Sequence, residues 1–331
     1  MTWGEASSEE EGHWQLDAAI DHGINFVDTA EMYPTNPMRR ETAGRTEEII
    51  GSWFEKRHRR EDIIIATKIT GEGSSTVRNG EPINSKQIVA SVEESLLRLK
   101  TDYIDLYQLH WPNRGSYHFR KYWNFDPSGQ SLKEMEDHVS EILSSLSKLV
   151  NEGKIRAIGL SNESAWGTMK FLEKAKISDV ERVVSIQNEY SLLCRIFDTD
   201  LSELCHHEGL SLLAFSPLAA GLLTGKYQKN KVPKGSRLEM TSNITPGLSG
   251  RIGPNTFSAV EAYLNIARKH KIDPIHMSLS FCASRPFMGS VIFGATTKEQ
   301  LSHILRGLEL VLSDETLTAI NEVNRKNPMP I

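Results

Sequence analysis

Residues 24–33 read INFVDTAEMY. A run of strand-forming residues ends in a carboxylate, Asp28, and a phenol, Tyr33, follows five positions later. A carboxylate on a core strand costs several kcal/mol unless it is paired. The next apolar runs supply partners. Residues 62–69, DIIIATKI, are apolar until Lys68, and residues 103–110, YIDLYQLH, are largely apolar until His110. Runs that stay apolar and turn polar only at the tip belong to parallel strands covered on both faces.

The same pattern recurs at 156–162, 183–190, 210–218 and 290–296, which makes seven strands in all. Helical periodicity fills the gaps at 46–57, 85–99, 133–152, 164–175, 198–208, 256–270 and 297–309. In 85–99, Ile88, Val92, Leu96 and Leu99 fall on one face. Alternating βα units predict an α/β fold, a barrel or a doubly wound sheet, as one domain over residues 1–331, and seven strands are one short of a closed (β/α)8 barrel. No G-x-G-x-x-G or G-x-x-x-x-G-K-[ST] follows any strand, so a Rossmann domain or a P-loop lacks support. A leading helix at 12–22 has only Met1 to Gly4 before it as a strand. Four residues reach only about 13 Å, so the first strand is expected to be largely missing, with 24–30 and 290–296 flanking its place.

A net charge of −5 without a basic block argues against a nucleic-acid groove. No run approaches the roughly 18 apolar residues of a spanning segment. Cys194, Cys205 and Cys282 are too scattered for a disulfide frame or a zinc site. They read as buried small hydrophobes of a reducing, cytoplasmic protein, and ligand spacing along the chain suggests no metal. Two long connections, 111–132 (rich in aromatics) and 219–254 (rich in Gly, Ser, Thr and Pro), are the expected substrate and cofactor loops.

In a barrel, polar residues at strand ends share one face. Asp28 and Lys68, on successive strands, can pair. Tyr33 can fold back over Lys68, whose charge favours the phenolate and so brings the phenol toward use as a general acid. His110 can orient the same substrate oxygen. Met32 and Trp111 stand next to these residues as a pocket wall. Each residue also has a bland reading, as loop aromatic, salt bridge or core imidazole.

With GINFVDTAEMY, IIIATKI, DYIDLYQLHWP, GKIRAIGLSN, IQNEYSLL, LLAFSPLAAGLLTGKY and VIFGATTKEQL, the whole chain resembles the aldo-keto reductase superfamily. The likeness is to the branch holding bacterial NADP(H)-dependent reductases and potassium-channel β-subunits. The resemblance implies a (β/α)8 barrel, reversible reduction of an aldehyde or ketone, and a tetrad of Asp28, Tyr33, Lys68 and His110. It implies NADPH (NADP+) rather than NADH. It also implies Ser161, Asn162 and Gln187 on the nicotinamide carboxamide, with Phe215 stacked on the ring. Ser216, Pro217, Leu218, Gly221, Leu222, Lys226 and Arg237 match the pyrophosphate loop, and Gly294, Thr296 and Gln300 the adenosine end. His303 and Ile304 depart from the family there, since an isoleucine cannot contact adenine by hydrogen bonds. Lys298 and Arg237 are the cations near that end. The expected partner is a small carbonyl substrate; the oligomeric state is not legible. A slow or non-catalytic nicotinamide-binding, redox-sensing module is the alternative.

Overall fold

Strands and helices run from residue 9 to residue 326, alternating through the first five strands, in a computed structural model that describes residues 1–331. The chain divides into two compact units, Met1–Gln187 and Asn188–Ile331.

In the first unit the residues before α1 (Glu9–Asp21) form turns with one isolated bridge, Trp3 to Ser7, and no strand. Ser8 and Glu11 cap α1 reciprocally. The unit continues with β1 (Phe26–Asp28), α2 (Arg45–Arg57), β2 (Ile64–Ile69), α3 (Ser85–Leu99) and β3 (Ile104–Leu109). It ends with α4 (Leu132–Asn151), β4 (Ile155–Ser161), α5 (Ala165–Ser178) and the larger part of β5 (Val183–Glu189). The strands pair in parallel and in chain order, β1 to β2, β2 to β3, β3 to β4 and β4 to β5. Parallel pairing in chain order is that of a (β/α)8 barrel. The first strand proper is shorter than the sequence suggests, three residues rather than 24–30, although the Thr29 and Glu31 N–H groups still donate to the Ala66 and Lys68 carbonyls of β2.

The register brings polar side chains level. Lys68 pairs with Gln108, Gln108 with Gly159, and Gly159 with Ser185. Gly159 is required there: a Cβ would lie 2.7 Å from Ser185 Oγ and 3.0 Å from Gln108 Cγ. Around the strands, α3 starts with the Asn84 side chain accepting from the Gln87 N–H. Its buried face is Ile88, Ser91, Val92, Ser95 and Leu99. Leu96, expected inside, is only half-buried, and the small Ser95 takes the inner position where α2 comes close.

The second unit holds the end of β5, α6 (Asp200–Glu208), β6 (Ser211–Phe215), the five-residue α7 (Arg237–Thr241) and the equally short α8 (Pro246–Gly250). It continues with α9 (Thr256–His270), α10 (Pro274–Ala283), β7 (Met288–Ile292), α11 (Lys298–Leu305) and α12 (Asp314–Lys326). β6 and β7 pair in parallel, Leu212 with Met288 and Phe215 with Ile292. The last strand lies two residues earlier than 290–296 at its start, since Phe287 and Met288 already pair with β6. α10 and α12 were not legible as helices, although Asp273 with Pro274, and Ser313, are ordinary start signals. No helix is long and apolar enough to cross a membrane. All three cysteines are free and buried.

The closest helix contact in the first unit depends on Gly51. A Cβ there would sit 2.2 Å from the Arg98 carbonyl oxygen and 3.1 Å from Leu99 Cα. Gly51→Ala is therefore expected to force α2 from α3 and cost about 1–3 kcal/mol despite alanine's better helix propensity. Urea denaturation reads it as a lower midpoint at unchanged slope; a wild-type midpoint would show that the two helices have slack.

Candidate active site

Asp28 ends β1, and β2 runs beside it so that Lys68 reaches across. Lys68 Nζ donates to Asp28 Oδ2 at 2.6 Å and to the Thr29 carbonyl at 2.7 Å. The lysine side chain is 0% exposed. Burial pulls its pKa down, and the Asp28 charge and hydrogen bond oppose that shift. Asp28 has further donors. Its Oδ1 accepts from Gln187 Nε2 at 2.7 Å and Gln108 Nε2 at 3.3 Å, and Gln187 also donates to Gln108 Oε1 at 3.2 Å. The buried carboxylate is thus satisfied by one cation and two amides.

Tyr33 returns over this pair. Lys68 Nζ stands 5.3 Å from the centre of the Tyr33 ring. The Tyr33 ring meets His110 edge-on, with centroids 5.7 Å apart, and His110 lies 4.9 Å from Trp111. Ala30, Met32 and Tyr33 form one apolar cluster with Val77 and Trp111 against it. Trp111 in turn meets Phe119 of the aromatic loop at 5.9 Å. The structure therefore gathers all four tetrad candidates and the expected wall residues within the first unit.

His110 is placed by its backbone: its N–H donates to the Ile69 carbonyl, and its own carbonyl accepts from Asn162 Nδ2 at 2.9 Å. Its Nδ1 is buried without a hydrogen-bond partner. Burial, reinforced by the Lys68 charge, holds its pKa well below the ordinary 6.5. Burial beside the Lys68 cation thus favours the neutral imidazole.

Ser161, Asn162 and Gln187 are neighbours. Ser161 Oγ donates to the Gln187 carbonyl at 2.7 Å, and the Asn162 N–H donates to the same carbonyl at 3.0 Å. Asn162 has a φ of 53°, a left-handed conformation that asparagine tolerates. Its Oδ1 is buried and unpaired, an acceptor suited to an amide N–H. The Gln187 amide nitrogen, by contrast, is committed to Asp28.

In the second unit, Phe215 ends β6 and Ser216 follows with a φ of 55°. Pro217 and Leu218 lead into a turn over Ala219–Thr224 in which Gly221 has a φ of 93° and Leu222 is buried. Lys226 folds back over this turn, its Nζ 3.0 Å from where a Gly221 Cβ would sit. An ammonium above a glycine backbone suits a phosphate. Arg237 opens α7 behind the Ser236 cap. Gly294 follows β7, and Gln300 Oε1 accepts from both the N–H and the hydroxyl of Thr296 at 3.0 Å. Ile304 is buried and His303 faces Asp273, so neither stands free as a hydrogen-bonding pair for adenine.

Sequence reasoning missed several supports. Glu31, 3% exposed, accepts from the Thr70 N–H (2.5 Å), Ser91 Oγ (2.5 Å) and Arg78 (2.6 Å), which pins the loop carrying Tyr33. Gln108 was hidden by its position inside an apolar run. Arg251 is buried with Glu189 at 2.6 Å and donates to Ser216 Oγ at 3.3 Å, tying the long loop to the β6 end. Buried charged residues in such apparently loose segments are the signal that was available.

The neutral His110 has a consequence for stability. Unfolded, a histidine titrates near 6.5, whereas in the fold it stays unprotonated to lower pH. The unfolded chain therefore binds more protons, so stability is full above about pH 6.5 and falls as pH drops below it. His13 and His138 shift in the same direction and add to the slope. His110→Asn is expected to flatten the decline between about pH 7 and pH 5. Parallel stability curves for variant and wild type would mean that the His110 imidazole is solvated.

The sequence profile of the Aldo/keto reductase family matches residues 1–325. Protein tas of Escherichia coli K12 is 42% identical across the whole chain and 94% of its own length. A probable voltage-gated potassium channel subunit beta of Arabidopsis thaliana is 28% identical over 99% of the chain and 92% of its own length. An NADH-specific methylglyoxal reductase of E. coli K12 is 27% identical over 91% and 83%. With the site geometry, this establishes that the chain belongs to the aldo/keto reductase family of nicotinamide-dependent oxidoreductases and has its (β/α)8 barrel fold.

Proposed function

We propose that the protein reduces a small aldehyde or ketone to an alcohol with NADPH, reversibly, in a reducing cytoplasmic compartment. The observation that carries this reading is Lys68, an ammonium wholly buried against Asp28 and facing the Tyr33 ring. Such a group has no structural need to be ionisable. It has a clear use if a proton must be delivered beside it.

Asp28 and the Thr29 carbonyl take two of the three ammonium protons of Lys68 and fix its position. Its ammonium stands 5.3 Å from the centre of the Tyr33 ring, and the phenol beside this cation is assigned the role of general acid. Tyr33 donates its proton to the substrate oxygen as negative charge develops there. His110, neutral, donates a hydrogen bond to the same oxygen and sets its direction. Trp111, Met32 and Phe119 supply an apolar wall that excludes water and suits an aliphatic or aromatic carbonyl.

The dinucleotide, when bound, supplies the hydride. For it, Asn162 Oδ1 and the Ser161 and Gln187 side chains are assigned to the carboxamide. Phe215 is assigned to the ring, and Ser216, Pro217, Leu218, Gly221, Leu222, Lys226 and Arg237 to the pyrophosphate. Gly294, Thr296 and Gln300 are assigned to the adenosine end. The choice of NADPH rests on Arg237 and Lys298 as cations for a 2′-phosphate. The NADH-specific relative makes a comparison of the two cofactors the direct check.

Tyr33→Phe is expected to lower kcat by about 10²–10⁴ with aldehyde substrates while leaving the NADPH dissociation constant within a factor of about two. Stopped-flow absorbance of the nicotinamide band and cofactor fluorescence give the two numbers. A kcat loss below about threefold would remove Tyr33 from the acid role. Cofactor binding without turnover of any aldehyde by the wild type would favour the redox-sensing alternative, to which the channel-subunit relative lends weight. Asn162→Ala and Phe215→Ala are expected to weaken NADPH binding by about tenfold or more each; wild-type affinity in both would overturn the cofactor assignment.

A further inference from the structure

His303 departs from the family at a position expected to touch the cofactor, and the structure turns it elsewhere. It sits in the last turn of α11, facing the start of α10. Asp273 caps α10: its Oδ1 accepts from the N–H groups of Ile275 at 2.8 Å and His276 at 3.2 Å. Its other oxygen, Oδ2, lies 3.0 Å from His303 Nε2. The pair is close but poorly aligned, and His303 Nε2 is buried without a hydrogen bond.

His276 completes the group. Its Nε2 lies 2.7 Å from the His303 carbonyl, which can only accept, so Nε2 carries the proton and Nδ1 keeps its lone pair. The two imidazoles stack with centroids 4.8 Å apart. One donor atom from each of Asp273, His276 and His303 lies within 4.8 Å of the other two. The His276 ring fills the space left by Gly307, where a Cβ would fall 2.2 Å from the ring.

We propose that Asp273, His276 and His303 bind a divalent late transition-metal ion of the zinc class, with solvent in the fourth position. Two imidazoles and a carboxylate are a usual ligand set for such an ion. Donors about 2.1 Å from a common centre stand roughly 3.4 Å apart, so small side-chain rotations close the group around an ion. The His276 ring already has the support that ligating histidines use, its other nitrogen donating to a backbone carbonyl. His303 Nδ1 accepts from Arg306 at 3.2 Å. When Nε2 takes the metal, the ring proton moves to Nδ1 and the exposed Arg306 swings into solvent. The bound ion ties the start of α10 to the end of α11. His276 and His303 are 27 positions apart, and Asp273 lies earlier still, so the three form no short ligand motif and spacing along the chain did not reveal them.

The test uses the full chain stripped with a chelator. Zn²⁺ titrated by calorimetry is expected to bind at one equivalent, and Co²⁺ to give the intense visible absorption of a four-coordinate nitrogen and oxygen site. His276→Ala and His303→Ala should each weaken binding by about tenfold or more. Asp273→Asn should do the same while keeping the helix cap, so loss of folding cannot account for the result. His206→Gln with His207→Gln, the adjacent imidazoles of α6, should leave the single equivalent intact. Absence of saturable binding, or binding unchanged in both His276→Ala and His303→Ala, would overturn the site. None of these readouts involves the nicotinamide cofactor.

Discussion

The buried pair of Lys68 and Asp28 is the constraint on which the rest of the site depends. Taking both charges out of water is expensive, and their attraction offsets the cost only where the remaining lone pairs and protons are also satisfied. The protein meets that condition with the Thr29 carbonyl under the ammonium and the Gln108 and Gln187 amides under the carboxylate. Removal of either charge alone would leave the other uncompensated, at a cost of about 3–5 kcal/mol. Hydrophobic residues of similar size would be at least as stable there. What the ion pair supplies that they would not is a fixed cation 5.3 Å from the centre of the Tyr33 ring.

That account explains why polar residues line one level of the strands. Lys68, Gln108 and Ser185 fall on paired positions, with Gly159 between the last two. Gln108 needs the space that Gly159 leaves, and Gln187, two residues along β5 from Ser185, closes the network over Asp28. The parallel register thus delivers the amides to the carboxylate without any loop having to fold inward.

Much of this was visible in the sequence because a strand covered on both faces advertises its polar tip. Asp28, Lys68 and His110 each end such a run, and the structure gathers them with Tyr33. What was illegible falls into two kinds. Gln108 and Glu31 lie where local pattern predicts core or loop, and only the neighbouring strand or helix shows what they bond. α10 and α12 were hidden differently: α10, PIHMSLSFCA, is apolar nearly all round, so it lacks the amphipathic period that reveals a surface helix. The amide of Gln187 shows a further limit, since the resemblance assigns it to the cofactor and the geometry commits its nitrogen to Asp28.

Glu31 shows how the fold separates stability from chemistry. Two buried carboxylates flank the strand that carries Lys68. Glu47 accepts from Thr67 Oγ at 2.5 Å and pairs with Arg98 at 2.7 Å; Glu31 accepts from Thr70 and pairs with Arg78. Glu47 meets Thr67, just before Lys68, and Glu31 meets the Thr70 N–H just beyond it, and each carboxylate takes a further partner from α3, Arg98 for Glu47 and Ser91 for Glu31. Each holds its own segment, α2 against β2 for Glu47 and the Tyr33 loop against β2 for Glu31. The loop that presents the phenol is therefore anchored from behind by Glu31 with Thr70, Ser91 and Arg78. Tyr33 can face a buried cation without having to supply the energy that holds its own backbone in place.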